Sequence, residues 1–215
     1  MTIRCILVLA LLSATLAGCQ TAQRPQSMAS ADSDANWYIG SVEDKPFNIP
    51  LVDRRKMAPQ YARQVVDYTG SEKPGSIVVD IDDKHLYLVQ PDQKAIRYGV
   101  GVGRQGFSWK GVASVGRRGV WPSWSPTKTM VGIKPDLPRH LEAGLDNPLG
   151  ARALYLYQDG HDILFRIHGT NEPWSIGQQV PSGCVRMLNE DIVDLYERVP
   201  VGATVYVKRN GKYRA

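Results

Sequence analysis

Cysteine is scarce in this chain, occurring only as Cys5, Cys19 and Cys184 among 215 residues. That count excludes a small disulfide-stapled scaffold, which packs several bridges into a short chain. Long apolar runs are lacking too: residues 6–17 fall short of the roughly 17 to 25 residues that a spanning helix needs. No internal repeat is found, which argues against a repeat architecture. Basic residues are scattered rather than clustered, the longest group being Arg54-Arg55-Lys56 in a chain of net charge +5. No nucleic-acid partner is therefore expected. The length suits one globular domain with appendages better than two enzymatic domains.

What is present at the start is informative. Residues 1–18 carry one Arg and an apolar stretch that closes on small residues before Cys19, the pattern of a bacterial secretory signal. Leu16-Ala17-Gly18-Cys19 resembles a lipobox, which implies cleavage before Cys19 and lipid on its thiol. Gln20 after that cysteine, rather than Asp, resembles outer-membrane sorting. The expected location is periplasmic, on a membrane through an N-terminal lipid, with the outer membrane favoured. Residues 19–35 are small and polar and read as a flexible tether. Residues 36–74 read as an N-terminal extension packing on the core through aromatics such as Trp37, Tyr38, Phe47 and Tyr61. The main domain is expected over residues 75–208, with a tail at 209–215. Loss of residues 1–18 leaves 25 basic against 21 acidic residues, a net +4 that suits an acidic polymer as partner.

Apolar, partly alternating segments separated by turn signals predict strands over residues 77–81, 85–90 and 94–102. Further strands are expected at 111–115, 153–157, 163–168 and 203–208. One helix is clear: Asn189 as N-cap, Glu190 and Asp191 in the first turn, Ile192, Leu195, Tyr196 and Val199 at helical spacing, then Pro200. The fold class is mainly β, a sandwich or barrel-like domain with one clear helix after Cys184.

If Cys5 leaves with the signal and Cys19 takes lipid, Cys184 is the remaining thiol. An unpaired thiol in an oxidising compartment carries an oxidation liability, which points to thiolate chemistry more than to packing. Arg166-Ile167-His168-Gly169-Thr170 ends a predicted strand, and Pro181-Ser182-Gly183-Cys184-Val185-Arg186 places the cysteine sixteen residues after the histidine. An imidazole beside a thiol lowers its pKa and supplies a proton to a departing amine. Gly183 leaves no side chain beside the attack path, so the amides of Gly183 and Cys184 are candidates for an oxyanion hole. His85, His140 and His161 offer other partners, so the spacing alone leaves the pairing open.

The flanking residues resemble the L,D-transpeptidase (YkuD-like) family, over roughly residues 75–208. The resemblance includes Tyr98-Gly99-Val100-Gly101-Val102-Gly103-Arg104, the stretch Trp121-Pro122-Ser123-Trp124-Ser125-Pro126, and Asn147-Pro148-Leu149-Gly150-Ala151-Arg152-Ala153-Leu154. Pro181 and Ser182 depart from the signature, standing where Ser or Thr and a second His are usual. The resemblance implies that Cys184 is the nucleophile, His168 its base and later acid, and the Gly169 carbonyl an orienting acceptor. Arg186 would help hold a substrate carboxylate, with Ser182 beside the site. It implies peptidoglycan stem tetrapeptides as substrate, attack at the carbonyl of the third residue, diaminopimelate or its equivalent, release of D-alanine, and transfer to an amine of a neighbouring stem as a 3-3 cross-link. Carbapenems would acylate the same thiolate. Water as acceptor would make a carboxypeptidase, and an amine on an envelope protein would attach that protein to the wall. A rival from another class is a non-catalytic wall-binding lipoprotein.

No cofactor and no metal are expected. Gly101-Val102-Gly103-Arg104-Gln105-Gly106 fits G-x-G-x-x-G, but residues 107–111 lack helical spacing and no acid stands at the ribose-reading distance. A zinc site from Cys184, His168 and His161 matches no common ligand spacing. The run from Trp121 to Pro126 is expected to pack a loop against the sheet rather than wall a groove.

Overall fold

A computed structural model describes residues 37–103, 109–180 and 183–213. The expected signal, the lipid site Cys19, the tether and Ser182 lie outside the described residues. Strands β1 (Tyr38–Val42) and β2 (Ile49–Val52) pair with each other as a separate antiparallel hairpin. The other strands are β3 (Gln64–Asp67), β4 (Ile77–Asp80), β5 (His85–Gln90), β6 (Lys94–Gly99), β7 (Gly101–Gly103) and β8 (Gly111–Val120), followed by β9 (Arg152–Gln158), β10 (His161–His168), β11 (Gln179–Val180), β12 (Val185–Arg186) and β13 (Thr204–Lys208). They form one sheet in the order β11-β7-β12-β10-β9-β8-β13-β4-β5-β6-β3. A short helix α1 (Lys128–Ile133) lies in the β8–β9 connection, and α2 (Asn189–Arg198) follows β12.

The single strand expected over 94–102 is in fact two. At Val100, whose N–H bonds the Lys84 carbonyl at 3.0 Å, the chain leaves β5 and takes β12 and β11 as partners. Residues adjacent in sequence thus stand near opposite ends of the sheet order, so the sheet must curl until its ends approach. That makes the domain barrel-like. Glycine permits the crossing: a Cβ on Gly101 would lie 2.6 Å from the Ser175 carbonyl oxygen, and one on Gly99 would lie 2.5 Å from the Tyr61 carbonyl oxygen.

Inward-facing positions alternate along the strands, as pleating demands. Ile77 and Val79, Leu86 and Leu88, Leu154 and Leu156, and Val205 and Val207 are buried in one cluster, closed by Ile192 and Leu195 of α2 and by Val199 just after it. Each such side chain contributes roughly 1.5–3 kcal/mol when fully buried. Helix α2 lies where the spacing places it, but Asn189 does not cap it. The cap residue is Leu188, with no side-chain cap bond. Asn189 instead accepts from Ala151 N–H at 2.9 Å and donates to the Thr170 carbonyl at 3.0 Å, tying the loop after β10 to the start of β9.

β8 runs five residues beyond its expected end, to Val120, through a register shift between Val115 and Arg117. A bulge re-aims side chains. Here it turns Arg118 toward α2, its Cζ lying 3.8 Å from the Tyr196 ring centroid, and turns Arg117 to the other face, over Tyr155. Gly116 sits at the bulge, where a Cβ would lie 2.2 Å from the Tyr157 ring.

The segment before β4 is woven into the domain. β3 pairs antiparallel with β6. Trp37, Tyr38, Met57 and Tyr61 pack against Val52, Ile176 and Leu188, while Phe47 meets Trp121 edge-on at 5.0 Å. Arg54 grips the buried Asp191 of α2 with two bonds of 3.1 and 2.9 Å. Among the described residues, no helix is long and apolar enough to cross a membrane.

Candidate active site

β10 and β12 run parallel, with Ile167 opposite Val185 and His168 opposite Arg186. Ile167 and Val185 point into the core. By alternation, Arg166, His168, Cys184 and Arg186 share the opposite face. Cys184 stands just before β12, diagonal to His168, and diagonal neighbours on adjacent strands lie roughly 7–8 Å apart, within reach of their side chains. Cys184 opens on a groove of about 570 Å³. The sheet supplies Arg117, Tyr155 and Arg166 to that groove, and the β8–β9 connection supplies Trp124 and Met130.

His168 is 4% exposed, and its Nδ1 lies 2.6 Å from the Gly169 carbonyl oxygen. A carbonyl only accepts, so Nδ1 carries the proton and Nε2 of the neutral ring keeps its lone pair. Burial, reinforced by the Arg186 charge and opposed by the Gly169 bond, pushes the imidazole down from its ordinary 6.5 to about 3. The ring is therefore neutral at any physiological pH. Burial pushes the Cys184 thiol up, against the pull of the Arg166 main-chain N–H and the charges of Arg166 and Arg186. Among the described residues no hydrogen bond joins the thiol to the ring, and burial disfavours the charged form of each. Gly183 forms part of the bend leading into β12.

Arg186 is engaged rather than free. It forms an ion pair with Glu172, and its side chain is 13% exposed. Its charge acts on both His168 and Cys184. Arg166 is likewise neutralised, by two bonds of 2.6 and 2.8 Å to Asp162. A bulge between Asp162 and Arg166 lets Leu164 take a positive φ of 57° and project into the groove mouth, where it is 62% exposed.

The run from Trp121 to Pro126 does both things a loop of that composition can do, which corrects the expectation of packing alone. Trp121 is buried, and its Nε1 donates to Asp44 at 2.8 Å. Trp124, Ser125 and Pro126 wall the groove. His161, weighed as a zinc ligand, lies at the opposite end of β10 from His168, seven residues or roughly 23 Å away. Arg117 and Tyr155 were missed in the sequence. The signal was Gly116-Arg117-Arg118-Gly119, a bulge-prone pair of glycines around two cations, in a strand read as ending at Val115.

A stability prediction follows from His168. Its folded pKa lies below the ordinary value, so below pH 6.5 the unfolded chain binds a proton that the folded chain refuses. This group's contribution is fully present above 6.5 and is lost as pH falls toward about 3, at up to roughly 1.4 kcal/mol per pH unit. Urea midpoints measured between pH 7.5 and 4.5 should fall, and His168→Gln should remove about one proton from the slope. Parallel slopes for the two proteins would show that His168 is not held neutral.

The model of the L,D-transpeptidase catalytic domain, YkuD, matches residues 74–207. The probable L,D-transpeptidase ErfK/SrfK of Escherichia coli (strain K12) is 35% identical over 140 residues, which cover 61% of this chain and 43% of that protein. The chain thus matches less than half the length of that relative. A crystal structure of a probable carnitine operon oxidoreductase from Brucella melitensis is 42% identical, covering 70% of this chain and 96% of that one, at a TM-score of 0.48. That name is an oxidoreductase's, whereas the family model over residues 74–207 is a transpeptidase's. L,D-transpeptidase 3 of Mycobacterium tuberculosis aligns at 17% identity and a TM-score of 0.48 over 62% of this chain and 60% of that one. With the family model matching more than half of its residues, the chain belongs to the L,D-transpeptidase family.

Proposed function

We propose that this protein is a peptidoglycan L,D-transpeptidase in which Cys184 is the nucleophile and His168 its general base. The observation that carries the reading is a buried, neutral imidazole with its Nε2 lone pair free, diagonal to a thiol that opens on a groove. In the first step Sγ bonds to the third-residue carbonyl carbon of a stem tetrapeptide while its proton passes to His168 Nε2. The tetrahedral oxyanion is held by the amides of Gly183 and Cys184. The C–N bond to D-alanine then breaks, and His168 returns the proton to the departing amine, leaving a thioester. In the second step the side-chain amine of a neighbouring stem attacks the thioester and loses its proton through His168, and the thiol is regenerated.

An acceptor amine outcompetes water only where the site positions it and so raises its effective concentration. An amine on an envelope protein would enter by the same chemistry. In this reading the chain acts on the periplasmic side, tethered by lipid on Cys19.

The test is mass spectrometry of soluble protein lacking residues 1–35 after incubation with disaccharide-tetrapeptide. The expected product is a dimer carrying a 3-3 bond with loss of one D-alanine. Tripeptide alone would replace transpeptidation with carboxypeptidase action, and unchanged substrate would leave a wall-binding module.

A further inference from the structure

We propose that Arg117 is the specificity residue of the groove, and that it binds the side-chain carboxylate of the stem residue whose main-chain carbonyl Cys184 attacks. The proposal rests on the acyl-transfer reading and extends it to substrate choice. The groove holds three guanidinium or ammonium groups, from Arg117, Lys128 and Arg166. Asp162 neutralises Arg166. Arg186, beside the thiol, is taken by Glu172. Among the described residues no carboxylate pairs with Arg117, and its Cζ stacks 3.4 Å from the ring centroid of Tyr155, a residue 6% exposed. Arg166 lies 4.5 Å from the same ring. The ring therefore sits between two guanidinium groups, one of them already paired, which leaves Arg117 as a pre-positioned planar fork facing the groove. Lys128 is likewise exposed and without a carboxylate partner among the described residues, but there it makes no ring contact of the kind that Arg117 makes with Tyr155.

Position selects the carboxylate. Register places Arg117 opposite Tyr155, Tyr155 opposite Arg166, and Arg166 beside Cys184. Arg117 is three strands from the thiol, and its guanidinium, stacked on Tyr155 of the intervening β9, lies roughly two to three strand spacings, ~10–14 Å, from the strand of the thiol. The carboxylate of the leaving D-alanine is only about three bonds from the attacked carbon and would stay near Cys184. The second carboxylate of a diaminopimelate residue is six bonds from the carbonyl carbon, roughly 7–8 Å when extended. That carboxylate can extend toward Arg117, and it remains on the enzyme in the thioester.

The experiment compares diaminopimelate tetrapeptide with the lysine tetrapeptide, which keeps the side-chain amine and lacks the carboxylate, on wild type, Arg117→Met and Arg117→Lys. Methionine keeps the aliphatic contact with Tyr155 and removes the charge. Thermal unfolding and the rate of Cys184 alkylation by iodoacetamide show that fold and thiol are intact. Wild type is expected to favour the diaminopimelate stem in KM by about ten- to a hundredfold, with kcat little changed. Arg117→Met should erase the preference by raising KM for that stem alone, and Arg117→Lys should restore part of it. A preference that survives in Arg117→Met, or no preference in wild type, overturns the proposal. If wild type consumes neither stem while Cys184 alkylates normally, the acyl-transfer reading falls and this proposal with it.

Discussion

Cys184→Ala is expected to reduce D-alanine release to background, and His168→Ala to slow it by on the order of 10³–10⁴-fold. The geometry explains why both losses should be large. The thiol is raised and the imidazole lowered by burial, which disfavours a resting thiolate–imidazolium pair. A thiol in that state attacks a carbonyl only if a base removes its proton during attack, and Nε2 of His168 is the base the Gly169 bond leaves available. Nucleophile and base then act as a unit, and the double variant should be no slower than the worse single one. Iodoacetamide labelling of Cys184 should still be rising past the ordinary thiol pKa of 9.0, without a plateau at low pH. More than about one per cent of wild-type release by Cys184→Ala would sink the nucleophile assignment. A labelling plateau below neutrality would replace general-base catalysis with a pre-formed ion pair.

Legibility in the sequence divides along physical lines. Alternation and turn residues set the strands over 77–81 and 85–90 and the helix after Cys184, because local periodicity is enforced wherever one face is buried. The motif residues His168 and Cys184 come together because β12 pairs in parallel with β10. What escaped was non-local. No local signal announces that the chain changes partner at Val100, since both halves are apolar and extended. The bulges in β8 and β10 escaped for the same reason, and they place Arg117 and Leu164 at the groove. Asn189 misled because its amide suits a cap, whereas tertiary contacts with Ala151 and Thr170 claimed it. Arg186 reads as an available cation until Glu172, fourteen residues upstream, is seen to hold it.

Asp44→Ala is expected to be among the most destabilising single changes in the described chain, costing roughly 3–5 kcal/mol. Asp44 sits after β1 and binds Arg152 of β9 through two bonds of 2.7 and 2.6 Å, while also accepting from Trp121 Nε1 at 2.8 Å. Their side chains are 17% and 7% exposed, so little solvent would replace the lost partner. Removing Asp44 leaves Arg152, whose Nε already lacks a partner, as an uncompensated charge below the sheet, and leaves the indole N–H of Trp121 unpaired. Arg152→Met should cost less than Asp44→Ala despite deleting the same pair, because it removes the charge instead of stranding it. The double variant should be close to Arg152→Met alone. Urea unfolding of the four proteins measures this directly. If Asp44→Ala costs no more than an ordinary surface pair, below about 1 kcal/mol, the bridge does not hold the β1–β2 hairpin to the catalytic sheet. The same change bears on activity. Arg152 accepts the Gly169 amide through its carbonyl, at 3.0 Å, and Gly169 fixes the tautomer of His168, so a displaced Arg152 should also lower the rate of Cys184 acylation.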